Sequence, residues 1–420
     1  MNKSNPYHSI YARAVCSLLL SILLIACNGG STSSNSTVQI SQSTLPNTMP
    51  LSVDATAYSN LNILTTSITL CSTTTPTICQ IIDHVLVDTG SVGLRVFASA
   101  LKSTLNLTQQ VSTTSNGNPV VECYPFASGY TWGSVKFANV QLGGETVTNL
   151  AIQVMGDPLY STVPTSCSSF GTSINTAAQV FANGILGVGL FKQDCQDFCI
   201  GASSLANIYY SCNMTSCTNI PQNIPEQLQN PVSLFTKDNN GVIIQLNPIY
   251  TPKTGQLIAT GTMIFGVDTE NNNVSTNTTT LTTNSAGMIS TQYQGQTFTN
   301  SFLDTGSNVT MFTDNTITSC PTSGALAMPG FYCPPTQLLL TATSSGLNNS
   351  SSHTINFSVD NAASMVYNSP FNYAAFTNIA APAWTTTTFD WGLPFYYGNS
   401  VYTVIEGNTT TKGSGPYFGW

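Results

Sequence analysis

From Leu51 onward the chain alternates short apolar runs with clusters of Gly, Ser, Thr and Asn, the pattern of short strands joined by turns. Gly133 to Val154 alternates polar and apolar residues around Gly143-Gly144, which predicts a β-hairpin. Asn183 to Leu190 is an apolar run punctuated by glycine, which predicts a buried strand in close backbone contact. Gly261 to Asp268 reads as a strand entering a turn, and Gly287 to Asp304 as another hairpin. Phe389 to Gly407 reads as an aromatic, strand-like tail. Helix is expected only in short pieces, 202–209 and 222–236, so the fold class is all-β.

Two stretches organise this pattern, V-L-V-D-T-G-S from Val85 to Ser91 and S-F-L-D-T-G-S from Ser301 to Ser307. Each is an apolar strand that ends in a tight turn, with glycine permitting the sharp reversal. Each presents one carboxylate, Asp88 or Asp304, beside hydroxyls (Thr89 and Ser91, Thr305 and Ser307) that can donate to it. A single Asp-Thr-Gly is ordinary turn sequence; two copies in matched contexts are hard to assign to turn chemistry alone. Gly187 and Gly392 follow the two Asp residues at similar distances, so the chain reads as a long internal duplication. Two carboxylates brought close together share a proton. Such a pair can activate a water with one member and donate to a carbonyl or leaving amine with the other, needing neither metal nor cofactor.

Charged residues make up 6% of the 420 positions, and the formal net charge is −8. With no basic stripe to neutralise phosphates, nucleic acid is excluded as a partner. Lys3 and Arg13 precede an apolar run from Cys16 to Leu24, followed by Leu24-Ile25-Ala26-Cys27. That sequence resembles the lipobox of bacterial lipoproteins, which implies a signal peptide over 1–26 and a lipid anchor on Cys27. The alternatives are an ordinary secretory signal or a short transmembrane helix, for which the apolar run is too short. Asn28 does not mark inner-membrane retention, so the expected location is the cell envelope, at the outer membrane or cell surface. Residues 27–50, rich in Gly, Ser, Thr and Asn, are expected to form a flexible tether.

Ten cysteines follow the tether, and in an exported chain they are expected to form disulfides. Cys71–Cys79 and Cys320–Cys333 close short loops. Cys123–Cys167, and nested pairing among Cys195, Cys199, Cys212 and Cys217, complete the expected set. A zinc site on those last four is the alternative, although His8, His84 and His353 are scattered. His84, beside the first catalytic strand, is expected to be a surface or hydrogen-bonded strand residue.

Asp88-Thr89-Gly90-Ser91, Asp304-Thr305-Gly306-Ser307, the run Asn183 to Gly189 and W-G-L-P-F after Asp390 together resemble the pepsin-like aspartic proteases over most of the chain beyond the tether. The lipobox, with I-D-H-V-L-V-D-T-G-S-V-G-L-R-V, also resembles an uncharacterised family of bacterial exported proteins, known mainly as a domain of unknown function, for which no activity is implied. The protease resemblance implies a bilobal fold, with β lobes over 51–250 and 251–420 and a cleft between them. Asp88 and Asp304 would be catalytic. Thr89, Gly90, Ser91, Thr305, Gly306 and Ser307 would support them, and an extended peptide or protein substrate would lie across the cleft of a monomer.

The chain departs from that pattern in places. Phe126 falls where the family carries a flap Tyr, with Tyr124 and Tyr130 close by, and Phe126 and Tyr130 are the expected flap residues. Arg95 replaces a supporting Trp, and either points at the dyad or lies on the surface. Asp390-Trp391 replaces an apolar pair before Gly392, and no Lys or Arg lies between Cys27 and Arg95 to serve as a propeptide cap. An acid endopeptidase is expected. The alternatives are a catalytically silent binding lipoprotein of the same fold and a structural surface protein.

Overall fold

The computed structural model describes residues 45–420 except 59, 116, 202–205, 214–215, 277 and 371–372. The expected signal peptide, Cys27 and residues 27–44 of the tether lie outside the described residues. The first strand, Thr48–Val53, begins three residues before the expected lobe start, with Met49, Leu51 and Val53 packed inside.

The described residues form two large sheets and a two-stranded one, Thr409–Thr410 with Gly413–Ser414. In the larger, of sixteen strands, the expected hairpin forms from Gly129–Leu142 and Glu145–Met155, turning at Gly143-Gly144. The smaller sheet has seven strands, all drawn from Ile289 to Asp390. Thr48–Val53 pairs with Ala259–Phe265, which also pairs with Gly241–Leu246, and that strand pairs with Ser400–Val404. The expected boundary at residue 250 therefore falls between two strands that bond to each other, and the described residues form one compact unit. Asn62 fastens distant chain together from within. Its Nδ2 donates to the carbonyls of Asn308 and Phe376, each at 2.8 Å, while its Oδ1 accepts from Phe376 N and the Tyr397 hydroxyl.

The duplication is visible as two matching three-stranded knots. Gly184–Val188 lies parallel to Val85–Asp88 and antiparallel to Val92–Val96. Thr388–Asp390 lies parallel to Asn300–Phe302 and antiparallel to Met311-Phe312. Each knot clamps the strands on either side of an Asp-Thr-Gly-Ser turn. Gly187 is required in the first, because a Cβ there would stand 2.6 Å from Val92 N.

The helix expected over 222–236 does not form; only 3₁₀ turns occur there, at Ile224–Glu226 and Pro231–Leu234. Pro221, Pro225 and Pro231 remove backbone donors and interrupt any longer helix. Of 202–209, the first four residues are outside the described set, and Tyr209 opens a strand, Tyr209–Cys212. Disulfides join Cys71–Cys79, Cys123–Cys167 and Cys320–Cys333 as expected. The remaining four are paired locally, Cys195–Cys199 and Cys212–Cys217, instead of nested. The reason is topological: Cys212 and Cys217 face each other across a tight hairpin between Tyr209–Cys212 and Cys217–Asn219. All four sulfurs are thereby consumed, which removes the zinc alternative.

Candidate active site

Asp88 ends the strand Cys79–Asp88, and Asp304 stands two residues beyond the strand Gln296–Phe302. The two turns that follow are built alike. Asp88 accepts from Gly90 N at 2.8 Å and from the Ser91 hydroxyl at 2.5 Å. Asp304 accepts from Gly306 N at 2.7 Å and from the Ser307 hydroxyl at 2.8 Å. Both carboxyl oxygens of each Asp are thus oriented by their own turn, so neither side chain is free to rotate away.

The threonines join the turns to each other. Thr89 N donates to Thr305 Oγ1 at 3.1 Å, and Thr305 N donates to Thr89 Oγ1 at 3.0 Å. The hydroxyls in turn donate across, Thr305 to Val87 O at 2.6 Å and Thr89 to Leu303 O at 3.4 Å. This reciprocal lattice sets the carboxylates face to face over the two glycines. A Cβ on Gly90 would stand 2.7 Å from Asp304 Cγ, and one on Gly306 would stand 2.6 Å from Asp88 Oδ1. Only glycine leaves room for the opposing acid. Asp88 is almost fully buried and Asp304 is half-buried.

Burial holds the Asp304 carboxyl well above the usual carboxylate range, and the negative charges of Asp88 and Asp390 and a hydrogen bond with Asp88 add to the effect. The Ser307 hydroxyl offsets part of it. These influences favour retention of a proton on the pair.

The hairpin near the dyad sorts its aromatic residues by face. Tyr124 is paired with Thr131, and Pro125 with Tyr130. Because side chains alternate, Tyr124 and Phe126 share one face and Tyr130 takes the other. Tyr130 is buried with Trp132, Cys123, Cys167 and Tyr210. Phe126 stacks edge-on against Tyr124 at 5.0 Å and packs against the cluster of Leu86, Phe97 and Ile185. Tyr124, which sequence reasoning left aside, has its phenol pushed up by burial, against the pull of Arg95, and the carboxylates of Asp194, Glu122 and Asp88 add to the rise.

Arg95 follows neither expected course. It is fully buried, but its charge is met by Glu122 at 2.6 Å and Asp194 at 3.0 Å, and it donates to Val92 O at 2.6 Å. The guanidinium lies over the Tyr124 ring, 3.7 Å from its centroid, a cation–π contact inside the protein. Burial, and then Glu122, push Asp194 well above the usual range, against the pull of Arg95. Glu122 and Asp194 gave no signal in the sequence, because nothing local links them to Arg95. His84 stays at the rim, bonded to Thr56 Oγ1 at 3.0 Å and close to Asp54 and Asp83, as expected.

Fold and site together define a mostly β protein with a duplicated turn motif that opposes two carboxyls. The chain belongs to the family described as "Protein of unknown function (DUF3443)", which matches residues 43–420. A comparison with curated proteins finds no match. Among solved structures, the chain is similar to the aspartic proteinase from Irpex lacteus. The identity is 16%, the match covers 89% of this chain and 96% of that one, and the TM-score is 0.49.

Proposed function

We propose that the chain is an aspartic endopeptidase with a bilobal, pepsin-like arrangement, which hydrolyses peptide bonds with a water held between Asp88 and Asp304. One observation carries the reading: each carboxyl lies against the other turn's glycine at a spacing that admits no Cβ, while the Thr89–Thr305 lattice fixes both. A structural turn has no use for two facing acids, whose burial together is costly. With the proton on Asp304, Asp88 takes a proton from the water as it attacks the peptide carbonyl. Asp304 donates to the carbonyl oxygen and, on collapse of the intermediate, a proton passes to the leaving amine. No group beyond the dyad is required for this sequence. In this reading an extended peptide or protein substrate would lie across the two turns, with Phe126 of the hairpin formed by Val120–Phe126 and Gly129–Leu142 beside it.

In the same reading the chain is a monomer, tethered through lipid on Cys27 to the bacterial cell envelope, at the outer membrane or cell surface. The test incubates the full chain with a mixed peptide library between roughly pH 3 and 7 and sequences the products. Cleavage that is abolished by Asp88→Asn supports the reading. Peptide binding without cleavage would replace it with that of a silent binding lipoprotein.

A further inference from the structure

The two knots allow a comparison position by position. In the first, Ile185 lies opposite Leu86 and Arg95; in the second, Asp390 lies opposite Phe302 and Met311. Asp390 thus holds the place that Ile185 holds, two residues before the glycine in each case. Ile185 is buried and apolar, so the packing at this position calls for no carboxyl.

Asp390 is 0% exposed. Its Oδ1 accepts from Gly392 N at 2.9 Å, and its Oδ2 has no hydrogen-bond partner among the described residues. An unpaired buried oxygen is costly, so a purely structural role would favour its loss. The Ser307 hydroxyl, which donates to Asp304 Oδ2, also lies close to the Asp390 carboxyl. The titratable groups that face Asp390 are Asp88 and Asp304 from the two turns and the Tyr396 phenol, which burial above all keeps neutral. No Lys, Arg or His among the described residues balances it; Arg95 is committed to Glu122 and Asp194.

We propose that Asp390 is a third carboxyl of this site, a positioning residue that acts on Asp304 through Ser307 and through space, so that the dyad keeps its shared proton to higher pH than two carboxyls alone would. Its consequence for catalysis rests on the endopeptidase reading; its consequence for the protonation of Asp304 does not. Burial, with Asp88 adding to it, raises the Asp390 carboxyl to about 7, against the pull of Ser307 and Gly392 N. When Asp390 ionises, its charge sits beside Asp304 and, like that of Asp88, opposes release of the remaining proton. Without Asp390, Asp304 gives up that proton at lower pH.

The experiment titrates the full chain, labelled with carbon-13 at the Asp carboxyls, by NMR, comparing wild type with Asp390→Asn and Asp390→Leu. Wild type should show three resonances that titrate far above the others, those of Asp194, Asp304 and Asp390. Each Asp390 variant should lose one, and the Asp304 resonance, assigned by its absence in Asp304→Asn, should move down by on the order of one pH unit. The alkaline limb of kcat/KM should move down with it. A chain that cuts nothing, but whose Asp304 resonance still moves, sinks the endopeptidase reading and leaves the inference standing. An Asp304 resonance that titrates at the wild-type pH or above overturns the inference, whatever the activity. Failure of both variants to fold also overturns it, because Ile185 shows that the equivalent position accepts an apolar residue.

Discussion

Replacing Arg95 with Met tests the buried charge cluster behind the site. Arg95 is the only cation facing Glu122 and Asp194 among the described residues, and all three side chains are shut off from solvent. Removing it leaves one uncompensated carboxylate in the interior, a change that typically costs about 3–5 kcal/mol. The loss must depend on pH in a definite sense. A carboxyl whose folded pKa is raised above its unfolded value destabilises the fold increasingly as pH climbs between those two values, at about 1.4 kcal/mol per unit per proton. Arg95→Met should therefore be close to wild type near pH 4 and poorer by the full amount near neutrality. Denaturant unfolding of both proteins at the two pH values measures the difference. Adding Glu122→Gln and Asp194→Asn should recover most of the neutral-pH loss, because the orphaned charge is gone. Equal destabilisation at pH 4 and 7 would refute this account and assign the role of Arg95 to packing against Tyr124.

Two further predictions rest on separate parts of the chain. Asn62→Leu removes four buried hydrogen bonds that join residue 62 to Asn308, Phe376 and Tyr397, and should cost roughly 2–4 kcal/mol in denaturant unfolding; a loss below about 1 kcal/mol would show that the bonds are individually replaceable. Cys27→Ser should leave an uncleaved precursor detectable by mass, whereas unchanged processing and a soluble product would remove the lipoprotein reading.

The strands and the dyad were legible because both are written locally. Alternation marks Gly129–Leu142 and Glu145–Met155, and the repeated Asp-Thr-Gly-Ser declares two equivalent turns. Short-range disulfides such as Cys71–Cys79 were legible for the same reason. The nested pairing expected among Cys195 to Cys217 failed because spacing alone does not reveal the tight hairpin that sets Cys212 against Cys217. The helix expected over 222–236 failed because Pro225 and Pro231 within it remove backbone donors. Partners that meet only through topology carried no signal at all. Glu122 reaches Arg95 across 27 positions and Asp194 across 99. Tyr124 shares a face with Phe126 under Arg95, and Tyr130 takes the other, because of a register that one residue's slip would reverse.

The central claim is that Asp88 and Asp304 act as one catalytic unit, and the most direct measurement compares peptide cleavage by wild type, Asp88→Asn, Asp304→Asn and the double variant across roughly pH 3 to 7. Each single substitution should abolish turnover, and the double variant should be scarcely worse than either, because groups acting as a unit do not contribute additively. Wild-type activity should persist to the top of this range and fall only above it, where Asp304 releases the proton that it donates. Both variants should stay folded, since Asn is nearly isosteric: its Oδ1 still accepts from Gly90 N or Gly306 N, and its Nδ2 can donate to the hydroxyl of Ser91 or Ser307, which turns to accept. Cleavage that survives Asp304→Asn, or losses that simply multiply in the double variant, would contradict the account.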